Sequence, residues 1–445
     1  MRKWLLWAVM AAGPAALAFD MDSREARGQA PVINAADAVY TGNGAVSSAA
    51  YSGEWLGSID TQALNSGPQC EASSEHASAP AALFYGSADY LLWWTKGTSL
   101  PPLVTSSPAG TPRADAAILG LPATSVLFGG AQDDNESRSG VRARVGRWLD
   151  DCACTGVEAG YFGVFHDSGT LQFAAATAGP PGAGLPILGR PFFDTEADIQ
   201  NAQLVSFLGL TDGSISVLTN SEFHSANLSL RRKWREGEMG RIDLLGGYRY
   251  FRFRDSLRIN SDFASTSPVG NIAQGTSFSV FDDFAAENDF HGGELGAAIN
   301  LRRGGRFGLD FVGKVALGNL HRAVAINGQT TVVTPGPNGT VNTADGGLLA
   351  LSTNSGRTTE NSFGVLPEFQ LNATFDVTEC WSLQFGYTFL LLNQVARAGE
   401  QVDLAINPNF VPGGNGQGTP APVLAGHNTG DFWAQGLNFG IQGRF

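Results

Sequence analysis

The chain has 445 residues, a formal net charge of −13 and only four cysteines. An acidic chain lacks the basic face that nucleic acids require, so no nucleic-acid partner is expected. Four cysteines in so long a chain rule out a fold held together by a disulfide framework. Beyond the N-terminus no run of about 20 apolar residues occurs, so the sequence predicts no membrane-spanning helix.

The N-terminal residues have the layout of a secretory signal peptide. A short positive start precedes an apolar run from Trp4 to Ala16, and a small-x-small cleavage site follows at 16–18. The alternatives are a membrane anchor and a buried helix, but the run is short for a membrane span. We therefore expect residues 1–18 to be a cleaved signal peptide.

The next segment, residues 19–82, shows little periodicity. It is rich in Ala, Ser, Gly and Asn between residues 30 and 80, a composition typical of flexible low-complexity chain. We predict a flexible periplasmic segment, and a folded plug is the alternative. Residues 83–445 are predicted to form the main domain.

Alternation of apolar with small or polar residues begins at Phe84. The best example lies between Arg306 and Leu320, where one face carries Phe307, Leu309, Phe311, Gly313, Val315 and Leu317. A period of two predicts a β-strand with one apolar face. Such strands exceed the usual 5 to 6 residues of soluble proteins, and they match tilted transmembrane strands of about 9 to 11 residues.

The connections between these strands alternate between short and long. The short ones are 150–154, 233–238, 302–305 and 376–380, and the long ones are 97–137, 166–220, 260–287, 321–360 and 398–430. Short periplasmic turns and long external loops are typical of outer-membrane barrels. The predicted fold is all-β, a transmembrane antiparallel barrel of about ten strands: Phe84–Lys96, Arg138–Trp148, Thr155–Phe165, Ser221–Arg232, Arg241–Arg254, Asn288–Leu301, Arg306–Leu320, Asn361–Phe375, Trp381–Val395 and Asp431–Phe445. Twelve strands are the alternative, because a long connection can hold another hairpin.

The final strand is the most specific single signal for this fold. Its apolar face carries Trp433, Leu437, Phe439, Ile441 and Phe445. An alternating strand with an aromatic last residue resembles the assembly signal of outer-membrane barrels, which predicts the barrel assembly machinery and the lipid bilayer as partners. The alternative is an ordinary edge strand, which would be an aggregation hazard in a soluble protein.

Several motifs in this domain resemble a known family. They are Tyr85-Gly-Ser-Ala-Asp-Tyr-Leu-Leu-Trp-Trp-Thr-Lys96, Leu100-Pro-Pro-Leu103, Gly189-Arg-Pro-Phe-Phe-Asp194, Leu245-Gly-Gly-Tyr-Arg-Tyr250, Asn288-Asp-Phe-His-Gly-Gly-Glu-Leu-Gly296, Gln401-Val-Asp403 and Asn407-Pro408. Together they cover roughly Leu83 to Phe445 and resemble the β-barrel porin family abundant in planctomycete bacteria, the BBP-type outer-membrane proteins. The resemblance implies a barrel, an outer-membrane location and a pore, and it carries no established catalytic residues.

Charged residues are predicted on the inward face of the barrel. The lumen-lining candidates are Arg138, Arg142, Arg144, Glu158, Arg249, Glu294, Asp310, Lys314 and Glu368. They form either a polar path for ions or a paired network that fills a narrow lumen, since buried charges must be compensated. Ten strands favour the filled lumen, because water-filled channels belong to barrels of about 16 strands or more. The expected function is a porin or narrow transport channel, and the alternative is a structural or adhesive barrel without an open pore.

Catalytic and cofactor chemistry is not expected. Asp282, Asp283 and His291 are the nearest candidates for a hydrolase at the external rim, but their pairing is loose. Cys152-Ala-Cys154 has no His at ligand spacing, so it does not predict a metal site. The glycine pairs Gly246-Gly247 and Gly292-Gly293 lack the Lys-Ser/Thr context of a phosphate-binding loop. We therefore expect no enzyme activity, cofactor or metal.

The cysteines and one aromatic loop yield further expectations. Cys152, Cys154 and Cys380 lie in predicted periplasmic turns, and Cys70 lies in the N-terminal segment. Because the periplasm favours disulfides, we expect at least one among these four, with the pairing open. The loop motif Arg190–Asp194 either enters the barrel mouth, meets a surface partner or packs on its own loop.

Overall fold

The computed structural model describes residues 83–445 except 131, 134–136, 175–186, 239, 303–304 and 425. The expected signal peptide, the segment 19–82 and Cys70 therefore lie outside the described residues. Within the described part, no helix is long and apolar enough to cross a membrane.

Ten long strands form the wall of the molecule. They are β1 (Phe84–Thr95), β2 (Ser137–Trp148), β3 (Thr155–Ala174), β4 (Thr211–Gly237), β5 (Gly240–Ser265), β6 (Ser277–Arg302), β7 (Phe307–Val333), β8 (Gly356–Asp376), β9 (Trp381–Ala396) and β10 (Thr429–Arg444). Each pairs antiparallel with its neighbours in the chain.

The ring closes between its first and last strands. The register of β1 on β10 runs from Tyr85 opposite Arg444 to Thr95 opposite Ala434. Beyond it, the backbone groups of Phe84 and Phe445 exchange two hydrogen bonds of 2.8 Å. Closure satisfies the edge groups that lipid could not, so the predicted ten-stranded barrel is confirmed.

Short turns join the strands at one end of the barrel, here the short-turn end, and long connections lie at the other, the long-loop end. Near the short-turn end the outward face is apolar. On β10, Phe439 and Ile441 are 42% and 48% exposed, whereas the inward Asn438 is 1% exposed. A closed ring with an apolar outer band is the architecture of a transmembrane β-barrel.

The strands β3 to β8 extend much further toward the long-loop end than predicted. Strand β5 shows the reason. Tyr248 points outward and Arg249 inward, which is the pattern of a membrane strand with an apolar outside. Further along the strand the pattern is reversed, because Phe251 and Phe253 are buried inside and Arg252 lies outside. The apolar face thus changes sides where the strand leaves the membrane. The sequence prediction ended the strands at this change, and it was wrong because the hydrogen-bonded ladder continues in water.

The long connections fold into the barrel mouth. Their segments Val104–Ser107, Ser125–Phe128, Ile187–Asp194, Ile199–Ser206 and Ala405–Ile406 form a small sheet, here called the plug. Smaller elements are Thr98–Ser99 paired with Gln132–Asp133, Val341–Asp345 paired with β7, and the 3-10 turns Arg113–Asp115, Gly399–Gln401 and Pro408–Phe410.

Candidate functional site: the barrel lumen

The lumen begins at the short-turn end with a cavity of about 440 Å³, here called the vestibule. Polar and aromatic side chains line it, among them Tyr85, Trp148, Glu158, Arg231 and Arg444. Arg231 bridges Glu158 at 3.3 Å and Asp243 at 2.8 Å. Its guanidinium also lies 5.4 Å from the Trp148 ring centroid, within cation–π range. The vestibule wall is therefore tied together around Arg231.

A layer of ion pairs lies deeper in the lumen. Arg249 contacts Glu294 at 3.0 Å and Glu368 at 2.6 Å. Lys314 reaches Glu294 at 3.2 Å, and Arg142 reaches Glu368 at 3.5 Å. These five residues, here called the charged layer, come from β2, β5, β6, β7 and β8, so they connect opposite sides of the ring.

Burial shows that this layer is a packed network. None of its five side chains is more than 6% exposed. Ions buried this far cost several kcal/mol each unless they are paired, and here each cation faces a carboxylate. Because three buried cations share two buried carboxylates, the layer fills the lumen and leaves no exposed charge along a path for a passing ion.

Aromatic side chains fill the next level. This aromatic layer consists of Trp93, Phe162, Phe223, Phe251, Phe253, Phe290 and Phe432, each at most 4% exposed. Ring centroids of Phe253 and Phe432 lie 4.4 Å apart, and those of Phe223 and Phe432 lie 5.2 Å apart. Such burial shows that water does not reach these rings, so the lumen is dry at this level.

The charged and aromatic layers are in direct contact. The guanidinium of Arg142 lies 5.4 Å from the centroid of Trp93 and 5.6 Å from that of Phe162. Arg249 lies 5.5 Å from the Phe162 centroid. These cation–π contacts show that the two layers pack directly against each other.

The plug closes the long-loop end above the aromatic layer. Its apolar side chains join those of the inner wall in one buried cluster that includes Leu103, Phe192, Ile259, Phe284 and Ile406. The loop motif from Arg190 to Asp194 therefore enters the barrel mouth. This settles the open question about that motif, which lies on a plug strand.

A fully buried ion pair fastens the plug to the wall. Arg190 on the plug lies 2.6 Å from Asp282 on β6, and both side chains are 0% exposed. The other Asp282 carboxylate oxygen accepts hydrogen bonds from the backbone N–H groups of Leu349 and Ala350, at 2.8 and 2.7 Å. One carboxylate thus holds two separate long connections.

The last long connection is held in a similar way. The Asn288 side chain exchanges two 2.8 Å hydrogen bonds with the Ala396 backbone, and Asp255 accepts the Ala398 N–H at 3.1 Å. Further along, the His427 ring lies 2.8 Å from the Thr358 hydroxyl. Burial lowers the pKa of His427 below its ordinary value of 6.5, and Glu360 partly opposes this shift.

The nine lumen-lining candidates all lie on the inward face. Seven are buried, and the other two, Arg144 and Asp310, line the vestibule. The structure brings Arg142, Arg249, Glu294, Lys314 and Glu368 together in the charged layer, while Glu158 faces the vestibule. Arg138 lies apart from this layer and donates to the Ser221 carbonyl at 3.3 Å.

The terminal strand has the predicted orientation. On β10, the outward face carries Trp433, Leu437, Phe439 and Ile441, and Phe445 follows the strand as an exposed residue.

The three residues weighed for hydrolysis are not brought together. Asp282 points inward and holds the plug, whereas Asp283 and His291 lie on the outward face. His291 is exposed and lies 2.5 Å from the hydroxyl of Tyr248. They therefore form no acid–His constellation.

Cys152 and Cys154 lie in the turn between β2 and β3, and Cys380 lies in the turn between β8 and β9. No disulfide joins any two of these three described cysteines.

The aromatic layer is not among the sequence-based predictions, although the sequence carries a signal for it. Phe223, Phe251 and Phe253 alternate along their strands with mostly polar or charged residues. They lie on the opposite strand face from the lipid-facing apolar residues of the same strands. A change of apolar parity within one long strand marks the exit from the membrane and places aromatics in the lumen.

Comparison with known proteins fits this architecture. A family model described as Putative beta barrel porin-7 matches residues 85–445. No curated protein matches the chain.

Several solved structures align with the chain at low identity. The outer membrane protease OmpT from Escherichia coli covers 84% of this chain and 100% of its own, with 10% identity and a TM-score of 0.38. An anion-selective porin from Comamonas acidovorans covers 82% and 99%, with 8% identity and a TM-score of 0.18. A FadL homologue from Pseudomonas aeruginosa covers 81% and 89%, with 10% identity and a TM-score of 0.20. At these TM-scores the alignments carry no argument about activity.

Proposed function

Since the chain belongs to the family described as Putative beta barrel porin-7, we propose that it is an outer-membrane barrel whose lumen is closed in this conformation. It acts as a structural or surface-presenting barrel through its long-loop end. The short turns face the periplasm and the long loops face outward, as in other barrels of this class. The lipid bilayer and the barrel assembly machinery are its partners.

One observation carries this proposal: the lumen is filled at three successive levels. The charged layer and the aromatic layer consist of side chains with almost no exposure, and the plug packs its inward apolar side chains into a buried cluster with the barrel wall. A water-filled pore would leave its lining exposed. Ten strands also enclose a cross-section close to that of barrels whose interior is just filled by side chains.

A second candidate is a gated narrow transport channel. The vestibule favours it, because this cavity already occupies the short-turn end of the lumen and has a polar lining. The plug belongs to the connections and not to the ring strands, so it could move without breaking the barrel wall. Family membership supports this candidate as well.

Enzyme activity is not part of either proposal. Asp283 and His291 lie on the outer wall, and Asp282 is engaged in the buried ion pair. The aligned protease does not change this, because its TM-score is only 0.38.

Solute entry into proteoliposomes tests the two candidates against each other. We expect vesicles with the wild-type barrel to admit small sugars no faster than empty vesicles. A variant without the plug strands Ile187–Ser206 should also stay closed, because ring strands carry the other two layers. Rapid entry through the variant alone would favour the gated channel, and rapid entry through the wild type would contradict the closed lumen.

A further inference from the structure

The turn between β2 and β3 gathers three metal-ligating side chains. Asp150, Cys152 and Cys154 each present one ligand atom, and these atoms all lie within 4.8 Å of one another. Ligands of a tetrahedral Zn²⁺ ion are about 3.3 to 3.8 Å apart, given metal–ligand bonds of about 2.0 to 2.3 Å. The set therefore needs only small side-chain adjustments to close on one ion.

The backbone of the turn holds this arrangement. Ala153 has a φ of 48°, in the left-handed region, which reverses the chain between the two cysteines. The Asp150 carboxylate accepts the N–H groups of Cys154 and Thr155 at 2.5 and 2.8 Å. Each carboxylate oxygen keeps a further lone pair, so the same carboxylate can cap the turn and bind a metal.

Two cations from the neighbouring hairpin surround the turn. Arg241 donates to the Ala153 carbonyl at 2.6 Å. The Lys233 backbone donates to the Cys154 carbonyl at 2.7 Å, and the Lys233 side chain interacts with that of Cys154. A nearby ammonium stabilises a thiolate, which is the form of cysteine that binds metals.

We propose that Asp150, Cys152 and Cys154 form a site for a thiophilic divalent metal ion of the Zn²⁺ type. Two thiolates and one carboxylate carry three negative charges, so the bound ion leaves one, close to the Lys233 ammonium, which also pairs with Glu236 at 3.1 Å. Binding releases the two thiol protons to solvent. Three protein ligands leave the fourth tetrahedral position to water. The site is independent of whether the lumen conducts.

The site differs from the expectation drawn from the sequence. The absence of a His at ligand spacing from Cys152-Ala-Cys154 predicts no metal site, but that criterion leaves out Asp150, two residues before Cys152. The pattern Asp-x-Cys-x-Cys is visible in the sequence. Its significance depends on the turn geometry, which folds all three side chains to one side.

Cobalt absorption tests the proposal on the folded mature protein, since Co²⁺ is a spectroscopic substitute for Zn²⁺. The protein is first reduced, freed of reductant under argon, and shown by thiol titration to hold reactive Cys152 and Cys154. Addition of Co²⁺ should then give thiolate-to-metal charge-transfer bands with tetrahedral d–d bands, and Zn²⁺ should displace them.

Variants locate the site. Cys152→Ser and Cys154→Ser should each weaken Co²⁺ binding by at least about 100-fold, more than loss of an outer-shell partner does. Cys380→Ser is the matched control and should bind as the wild type does. Asp150→Asn keeps one of the two oxygens that cap the turn, so the barrel, which the turn only joins, should still fold, while the variant should bind Co²⁺ more weakly. Absence of thiolate bands in the reduced wild type would overturn the proposal. So would bands of wild-type strength in the Cys152→Ser/Cys154→Ser double variant.

Discussion

Arg190 and Asp282 form an ion pair of 2.6 Å in which both side chains are completely buried. The two residues belong to different parts of the molecule, a plug strand and the barrel wall. Because Asp282 also accepts two backbone N–H groups from a second connection, it organises much of the long-loop end. The plug is therefore held by charge as well as by apolar packing.

The first prediction follows from this pair. Asp282→Ala leaves the Arg190 guanidinium buried without its partner, which should destabilise the docked plug by about 3–5 kcal/mol. Limited proteolysis of the folded barrel should then cleave the plug connections faster. Asp283→Ala is the matched control, because this neighbouring carboxylate lies on the outward face, and its effect should stay within about 0.5 kcal/mol. Equal proteolysis of both variants would show that the buried pair does not hold the plug.

The second prediction concerns the closing strand. Deletion of Phe445 should impair membrane insertion, because its backbone exchanges two hydrogen bonds with Phe84 at the seam. Removal of one residue from the loop 413–418 should have little effect. The readout is the heat-modifiable gel shift of folded barrels in the membrane fraction. A normal shift for the Phe445 deletion would contradict its role in closure.

The third prediction concerns the lipid-facing side of the same strand. Phe439→Arg places a charge on the outward face near the middle of the membrane and should cost about 2–4 kcal/mol of folding stability. Val423→Arg, at an exposed position of the last long connection, should be nearly neutral. Urea unfolding in lipid vesicles compares the two. Similar stabilities would place Phe439 outside the hydrocarbon region.

The fourth prediction is a disulfide that includes Cys70. Since none joins two of the described cysteines, the partner is Cys152, Cys154 or Cys380. If the first two bind a metal, Cys380 is the expected partner, because it is exposed at the same end of the barrel. Alkylation and mass measurement of the purified protein without reductant give the result. Four alkylated thiols would contradict the prediction.

The fifth prediction concerns pH. Burial keeps the pKa of His427 below its ordinary value of 6.5. The His427 ring is therefore protonated more readily when its loop is released than when the loop is docked. Docking of the loop that carries His427 is therefore fully stable above pH 6.5 and weakens as the pH falls below this value. Protection factors for hydrogen exchange at residues 426–428, which correct for the slower intrinsic exchange at low pH, should fall as the pH is lowered from 7.5 to 5.5. His427→Gln should abolish most of this pH dependence, and an unchanged dependence would assign it to another group.

Much of the wall could be predicted from alternation alone. In β10 the parity of Phe439 and Asn438 distinguishes the lipid side from the lumen side, because the bilayer requires apolar contacts along the whole outer band. The same rule placed Arg249 and Glu368 inward. It also required β1 to pair with β10, because a membrane barrel cannot keep an open edge.

The contents of the lumen could not be predicted in the same way. Glu368 pairs with Arg249 and Arg142, which are 119 and 226 residues away in the chain, and only the closed ring brings them together. The plug depends on contacts such as Arg190 with Asp282, which involve an irregular connection without a repeating pattern. Strand lengths were underestimated because water and lipid favour opposite parities on one continuous strand.

Ion conductance in a planar lipid bilayer tests the closed lumen most directly. The mature protein is first shown to be folded by its heat-modifiable gel shift and to be inserted by resistance of the barrel strands to protease. We predict that current through inserted wild-type barrels stays at the level of the bare membrane or shows only small, rare steps. Large and steady porin-like steps from the monomer would contradict the account, because ions cannot cross three packed layers of buried side chains.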